Sequence, residues 1–173
     1  GDGGYAIVGK TWHSTWLTDV WLIKTDSSGN MLWDSTYGGA DLEEGYSIIQ
    51  TSDGGYAIAG GAKWYATDYL LWKTDASGNT EWTKLYDGGV SVDVARSLIE
   101  TTDGGYAIFG SWYTMTGRHV GLVKTDRYGN MQWIKVMAYS EPEHGYSVVQ
   151  TVDGGYAVLG ICHHGPYGRA DFW

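Results

Sequence analysis

Cysteine, proline and basic residues are scarce in this sequence of 173 residues. The single cysteine, Cys162, excludes an internal disulfide and a metal site built from several cysteines. Two prolines exclude a collagen-like or proline-rich disordered chain. Eleven lysines and arginines against 20 acidic residues leave a net charge of −9. We therefore expect no nucleic-acid partner, because phosphate binding needs a basic surface.

Long apolar runs are also missing. No stretch approaches the roughly 20 residues that a membrane-spanning helix needs, so the sequence predicts no membrane insertion. Glycine and aromatic residues, by contrast, are abundant: there are 27 Gly, 10 Trp, 14 Tyr and 2 Phe. A chain this aromatic can bury a sizeable core, which argues against disorder over most of its length.

The chain is built from repeats of about 50 residues. The string Asp-Gly-Gly-Tyr-Ala occurs four times, starting at Asp2, Asp53, Asp103 and Asp153. The string Lys-Thr-Asp-x-x-Gly-Asn-x-x-Trp occurs three times, starting at Lys24, Lys73 and Lys124. A fixed period of this length is the signature of a repeat architecture.

Each full period contains four short segments rich in Ile, Val, Tyr and Trp, bounded by Gly, Asp, Asn and Ser. In the second unit these segments, which we name strand types A to D, are Tyr46–Thr51, Tyr56–Gly60, Tyr69–Thr74 and Thr80–Tyr86. Tight Asp/Asn/Gly turns join A to B and C to D. The pattern predicts an all-β chain whose units are the four-stranded antiparallel blades of a β-propeller.

The predicted strands follow the order BCD, ABCD, ABCD, ABC, or about three and a half blades in one domain spanning 1–173. The full units are 39–88 and 89–138, and the partial units are 1–38 and 139–173. Propellers have typically four to eight blades. Two explanations stay open. Further blades belong to a longer chain, or two copies associate and their 28 strands supply about seven blades of four.

Three stretches resemble the bacterial and archaeal β-propeller repeats of the SBBP type: Asp19–Trp33, Thr36–Gly39 and Glu44–Ser47. The Asp-x-x-Gly-x-x-x-Trp core is also similar, more weakly, to the tryptophan motif of quinoprotein propellers. The SBBP resemblance implies a secreted or cell-surface protein. It implies an architecture rather than one activity, because proteins with these repeats share no single function.

The B–C and D–A loops vary between units and lie at the opposite end of the strands from the near-identical turns. A ligand is therefore expected at this end. The candidate ligand-binding residues are Trp12, Trp16, Trp64, Tyr65, Arg96, Trp112, Tyr113 and Tyr167. Their rings are interpreted either as stacking platforms for sugars or peptide side chains, or as packing between blades.

Charged residues before strand A give the other candidates. Glu43, Asp93 and Glu143 occupy the same position in successive units, which favours a structural bond to a loop N–H over a pair of catalytic carboxylates. Arg96 stands where the other units have tyrosine. Its two interpretations are an ion pair with Asp93 or Glu100, and a specific contact at the mouth of a central channel.

The function expected from these features is a non-enzymatic extracellular or cell-surface module that binds a carbohydrate or protein ligand or acts as a scaffold. The alternative is the propeller domain of a glycan-active or quinoprotein-like enzyme, although vicinal cysteines are impossible with one Cys. We expect no cofactor and no metal. The Asp26–Asn30 segment is interpreted as a hairpin turn rather than a calcium loop.

Overall fold

The computed structural model describes residues 2–12, 17–62, 68–87, 92–137, 144–164 and 169–172, with side chains as far as Ile161. These residues form 14 strands and no helix, which confirms the predicted all-β class. The strands are β1 (Ala6–Trp12), β2 (Thr18–Thr25), β3 (Met31–Tyr37), β4 (Glu43–Gln50), β5 (Tyr56–Ala62), β6 (Asp68–Thr74), β7 (Thr80–Tyr86), β8 (Val94–Glu100), β9 (Tyr106–Thr114), β10 (Gly117–Thr125), β11 (Met131–Met137), β12 (His144–Gln150), β13 (Tyr156–His164) and β14 (Arg169–Phe172). The described part of the chain holds no helix long and apolar enough to cross a membrane.

Successive strands pair antiparallel in four separate sheets. Sheet I is β1–β3, sheet II is β4–β7, sheet III is β8–β11 and sheet IV is β12–β14. In sheets II and III the four strands correspond to types A, B, C and D, so each sheet corresponds to one repeat. Three core clusters lie between successive sheets: I and II, II and III, and III and IV. The core is therefore built at the junctions.

The C–D turns are closed by their own aspartate. In sheet II, the Asp75 carboxylate accepts hydrogen bonds from the backbone N–H groups of Ser77 and Asn79, both at 2.8 Å, and from the Asn79 side-chain amide at 2.9 Å. Gly78 supplies the positive φ, 83°, that the turn requires. The turns at Asp26 and Asp126 have the same bonds. The hairpin-turn interpretation is thus confirmed.

The sheets approach each other most closely at their A and B strands. Small residues stand at this approach: Gly45, Ala95 and Gly145 occupy one repeat position, and all three are buried. A Cβ added at Gly45 would lie 2.5 Å from Val8 of sheet I, and one added at Gly145 would lie 2.6 Å from Phe109 of sheet III. At Gly45 and Gly145 an added Cβ would therefore displace these neighbouring side chains.

At the D strands, by contrast, large aromatic rings fill the space between neighbouring sheets. Each repeat tryptophan packs edge-on against the tyrosine that begins strand B of the next sheet. The centroid distances are 6.0 Å for Trp33–Tyr56, 5.9 Å for Trp82–Tyr106 and 5.7 Å for Trp133–Tyr156. Trp33, Trp82 and Trp133, which end the three Lys-Thr-Asp strings, therefore have equivalent surroundings. Small residues at one edge and large rings at the other make each junction narrow at strand A and wide at strand D.

In sheets I to III, a buried lysine pairs with the aspartate of Asp-Gly-Gly-Tyr. Lys73, on strand C, has a side chain only 3% exposed, and its Nζ lies 2.9 Å from both Asp53 and Glu81. Lys24 pairs with Asp2 and Lys124 with Asp103 in the same way. The pair was not predicted from the sequence, although the aspartate recurs four times and the lysine three times. The Asp of Asp-Gly-Gly-Tyr is thus a structural partner of the Lys of Lys-Thr-Asp.

Candidate ligand-binding site

Each A strand carries a β-bulge near its first residues. The pairing register shifts between Gly45 and Ser47 in β4, between Ala95 and Ser97 in β8, and between Gly145 and Ser147 in β12. The bulged residues are Tyr46, Arg96 and Tyr146. Bulges redirect side chains and are frequent beside functional sites. We name these three residues the bulge row; it lies at the end of the strands opposite the A–B and C–D turns.

Tyr46 is held by a carboxylate. Its hydroxyl donates to Glu44, which also accepts a hydrogen bond from Lys10 of sheet I. Burial and the charge of Glu44 raise the pKa of Tyr46 to about 12. Burial raises the pKa of Glu44, but the bonds from Lys10 and Tyr46 outweigh it and the pKa lies below its usual value. Tyr46 is consequently a neutral phenol whose ring is 43% exposed.

Arg96 packs on this ring, with its guanidinium carbon 5.7 Å from the Tyr46 centroid. Its Nε is buried and makes no hydrogen bond among the described residues. The Glu100 carboxylate instead accepts bonds from the Ser52 backbone N–H at 2.8 Å and the Ser52 hydroxyl at 2.7 Å. Arg96 therefore makes no ion pair with Glu100, one of its two expected partners, because the neighbouring turn uses that carboxylate.

Asp93 precedes β8 and is fully buried. Its carboxylate accepts a hydrogen bond of 2.5 Å from the backbone N–H of Tyr113. The repeated position predicted a structural bond to a loop N–H; the bond is present, but the N–H belongs to strand β9. A carboxylate committed in this way is a structural group, and Glu143, the equivalent in the next unit, lies outside the described residues.

Around Tyr146, at the sheet IV end of the bulge row, aromatic rings again lie beside a positively charged side chain. The rings of Tyr146 and His144 stack at 6.3 Å with an interplanar angle of 27°. Arg118 of sheet III donates to His144 Nε2 at 2.8 Å. The same guanidinium lies 4.8 Å from the Tyr113 ring and donates to its hydroxyl. Positive groups therefore lie along this surface, although the chain is acidic overall.

The structure separates the aromatic candidates by strand alternation. Trp12 and Tyr113 occupy the same repeat position, ten residues after the Asp of Asp-Gly-Gly-Tyr. Trp12 is 62% exposed, and the Lys10 ammonium lies 5.7 Å from the centre of its ring. Tyr113 is half-buried. Trp112 is one residue earlier, so it points to the other face of β9. It is 6% exposed and packs at 4.8 Å against Tyr69 of sheet II. The expectation that Trp112 binds ligand is corrected: it is a core residue.

Four of the candidates cannot be placed. Trp16, Trp64, Tyr65 and Tyr167 lie outside the described residues. The bulge itself was missed by sequence reasoning, although a signal was present. The alternating pattern breaks at Gly-Tyr-Ser, Ala-Arg-Ser and Gly-Tyr-Ser, before two adjacent apolar residues. A break at the same point in three strands is typical of an inserted residue.

Clefts occur at both ends of the strands. A cleft of about 120 Å³ beside the bulge row is lined by Leu42, Glu44, Tyr46, Gly61, Val92 and Val94. A larger cleft of about 470 Å³ lies at the turn end between sheets II and III. Lys73 at the larger cleft is paired with Asp53 and Glu81. The ion pairs of Lys73 hold the two turns together, whereas at the bulge row one repeat has arginine where two have tyrosine.

Within the described ranges, no group of three His, Cys, Asp or Glu side chains is placed to hold a metal ion. No protein-family model matches the chain, and no curated protein matches it.

Proposed function

We propose that this chain is a non-enzymatic β-propeller module of an extracellular or cell-surface protein, and that it binds carbohydrate through the bulge row. The observation that carries the proposal is the contrast between the two ends of the strands. At the turn end three repeats keep the same Asp–Lys pair and the same Asp–Asn bonds that close the C–D turn. At the other end three equivalent bulges present Tyr46, Arg96 and Tyr146.

The propeller architecture is supported by the shape of the junctions. Gly45, Ala95 and Gly145 allow close approach at the A strands, while Trp33 and Trp82 separate the sheets at the D strands. When neighbouring sheets lie closer at their A strands than at their D strands, successive sheets fan out around an axis that lies near the A strands. Four-stranded units repeated around such an axis form a propeller. The bulge row would then lie at one mouth of the central channel.

Carbohydrate fits the chemistry of this surface. Sugars bind through stacking of their apolar faces on aromatic rings and through hydrogen bonds to charged or polar groups. Tyr46 and Tyr146 are each a little over two-fifths exposed, and Arg96 lies between them in the repeat order. Lys10 and Glu44 add a donor and an acceptor beside Tyr46. A protein ligand remains the alternative partner, and the extracellular location rests on the SBBP resemblance.

The glycan-active enzyme has less support. A hydrolase of this kind needs one carboxyl group as acid and another as base or nucleophile. Glu44 is held by Lys10 and Tyr46, and Asp93 is buried against a backbone N–H. Neither carboxylate is poised to move a proton. The neutral Tyr46 phenol, with its raised pKa, is not a base near neutral pH.

A glycan array tests the proposal. The wild-type protein is expected to bind a subset of glycans, and Tyr46→Ala and Tyr146→Ala are each expected to lower the affinity at least about tenfold, or about 1.4 kcal/mol. Tyr128→Ala is the matched control, because Tyr128 is an exposed tyrosine in the C–D turn at the opposite end. Failure to bind any glycan, or equal binding by the bulge-row variants, would contradict the proposal.

A further inference from the structure

Sheets II and III differ in charge at the bulge-row end, although they share the same strand order and the same bulge. At four repeat positions the second unit has Glu44, Tyr46, Thr67 and Asp68, and the third unit has Val94, Arg96, Arg118 and His119. The third unit thus has two arginines and no carboxylate where the second has two carboxylates and no cation. Because the strand pairing is the same, the fold does not require this change. The third unit is therefore specialised by charge at this end.

Arg96 is a half-buried cation without an ion pair among the described residues. The ion pairs found within the described ranges all belong to lysines. Arg96 instead packs on the Tyr46 ring, and its Nε makes no hydrogen bond with a described residue. The carboxylates of Glu44, Asp93 and Glu100 each accept hydrogen bonds from other groups. The guanidinium is therefore held in place by a ring, and no contact neutralises it.

Arg118 is a second half-buried cation of this kind. It donates to the Tyr113 hydroxyl and, at 2.8 Å, to Nε2 of His144. Arginine has no acceptor, so this nitrogen of His144 accepts the bond and carries no proton. The two partners are therefore a hydroxyl and an unprotonated imidazole nitrogen rather than carboxylates. They orient the guanidinium but leave its charge unbalanced.

Half-buried cations without a counter-ion favour an anionic ligand. Removing a charge from water costs free energy unless an opposite charge or hydrogen bonds compensate for the lost hydration. A bound carboxylate or sulfate would supply that compensation, and its oxygens match the planar fork of a guanidinium. Both guanidinium groups already lie against tyrosine rings, so little side-chain freedom remains to be lost on binding.

The spacing of the two arginines sets the size of the ligand. Arg96 lies on β8 and Arg118 on β10, with β9 between them. Neighbouring strands are about 4.8 Å apart, so the two backbones are separated by roughly 10 Å or more. The side chains also point toward different neighbouring sheets, Arg96 to Tyr46 and Arg118 to His144. A chain of several sugars reaches both guanidinium groups, whereas a single sugar ring does not.

We infer that the carbohydrate bound at the bulge row is acidic: an oligosaccharide whose carboxylate or sulfate groups pair with Arg96 and Arg118 while its rings stack on the bulge-row tyrosines. The inference rests on the proposed function, because it assigns the ligand class at the same surface. The net charge of −9 does not exclude such a ligand. Surface charges are largely screened beyond about 8 Å at physiological ionic strength, so the cations that contact the ligand dominate. A neutral glycan would leave both arginines without an anion.

A glycan array that places each acidic glycan beside a neutral counterpart is the first test. Oligogalacturonates beside their methyl esters probe carboxylates, and dextran sulfate beside dextran probes sulfates. We expect the wild type to bind at least one acidic member at least about tenfold more tightly than its counterpart, and the pair concerned identifies the anion. Equal binding within every pair, or tighter binding of the neutral members, overturns the inference and leaves the proposed function standing. No binding to any glycan overturns both.

Substitution of the arginines tests where the anion binds. Arg96→Gln and Arg118→Gln should each lower the affinity for the acidic probe, oligogalacturonate or dextran sulfate, at least about tenfold, because each removes a charged hydrogen-bond donor. Arg127→Gln is the matched control: it makes the same change in charge at an exposed arginine in the C–D turn of sheet III, at the opposite end of the strands. Unchanged affinity of either site variant, or an equal loss in Arg127→Gln, overturns the inference.

Two comparisons separate an anion-binding role of Arg96 from a structural one. Arg96→Lys keeps the charge but not the planar fork, so its affinity for the acidic probe should lie between those of the wild type and Arg96→Gln. Tyr46→Ala should weaken the binding of acidic and neutral glycans alike, whereas Arg96→Gln should weaken only that of the acidic ones. The circular dichroism spectrum and the melting temperature of each variant check its fold. If folded Arg96→Gln loses acidic and neutral glycans equally, Arg96 supports the surface rather than an anion, and the inference is overturned.

Discussion

The repeat lysines show how a single charged residue organises each of sheets I to III. The Lys124 ammonium is almost completely buried and bonds the Asp103 carboxylate at 2.9 Å, the Thr125 carbonyl at 2.7 Å and Gln132 at 3.2 Å. Asp103 is therefore the only charge that balances it among the described residues. A buried cation is costly unless it is paired and hydrogen-bonded, so the A–B turn must stay in place beside strand C.

Asp103→Asn is expected to lower the free energy of unfolding by about 2 kcal/mol. Breaking a fully buried pair costs about 3–5 kcal/mol, and the loss is smaller here because the Asp103 side chain is 56% exposed. Asp53→Asn is the matched control: Lys73 keeps the Glu81 carboxylate at 2.9 Å, so its loss should be roughly half as large. Urea unfolding of both variants measures the difference. Equal losses would show that the second carboxylate contributes nothing.

At the scale of the element, the C–D hairpin does two tasks. Its Asp and Asn close the turn locally, and its glycine forms part of the junction with the preceding sheet. The Tyr37 hydroxyl donates to the Gly78 carbonyl at 2.7 Å, and a Cβ added at Gly78 would lie 2.9 Å from the Trp33 ring. The turn glycine is thus required for its φ and also for the space above it.

The two requirements can be separated by comparing Gly29→Ala with Gly78→Ala. Both glycines have positive φ, 84° and 83°, so both alanines are strained by about 1–2 kcal/mol. No atom lies within 4 Å of an added Cβ at Gly29, whereas Trp33 crowds one at Gly78. Gly78→Ala should therefore cost at least about 1 kcal/mol more. Thermal unfolding measures this, and equal melting temperatures would mean that the ring moves away freely.

The bulged A strand is the element that sequence reasoning described least well. Its apolar half, Ile48 and Ile49, was recognisable from composition. The register shift at Tyr46 depends on how β4 pairs with β5, and pairing partners are not encoded in a single strand. Arg96 stood out in the sequence because it breaks the repeat. Its position over Tyr46 of the neighbouring sheet is a contact across a junction.

At the scale of the whole molecule, many repeat aspartates share a depressed pKa. The Lys124 hydrogen bond holds the pKa of Asp103 well below its usual value. Burial raises the pKa of Asp53, but bonds from Thr51 and Lys73 outweigh it and lower the pKa to about 2. In the C–D turns, the Asn30 amide lowers the pKa of Asp26. These carboxylates are all ionised in the folded protein near neutral pH.

The depressed pKa values predict acid sensitivity. In the unfolded chain an aspartate has a pKa of about 3.9, so below that value the unfolded state binds protons that the folded state does not. The stability from these groups is complete above about pH 5 and is lost as the pH falls toward the folded pKa values. Urea unfolding from neutral pH down to about pH 2.5 should show this decrease. Asp103→Asn should show a shallower one, and a flat wild-type profile would contradict the explanation.

The sequence by itself determined the features that rest on contacts within a few residues. The repeat period, the four strand types and the C–D hairpins follow from turn residues and short apolar segments, because the Asp75 carboxylate needs only Ser77 and Asn79 to close its turn. The all-β class follows for the same reason. The same short-range patterns recur in successive units, so each repeat supports the same prediction.

Only the tertiary structure decided which aromatic residues face solvent and which face the core. Trp112 and Tyr113 are adjacent in the sequence, and both looked like loop residues. Because β9 continues to Thr114 and pairs with β10 along its length, strand alternation buries Trp112 against Tyr69 of another sheet and leaves Tyr113 beside Arg118. The contact of Arg96 with Tyr46 in the bulge row arises likewise from packing between sheets, which brings together residues 50 positions apart in the sequence.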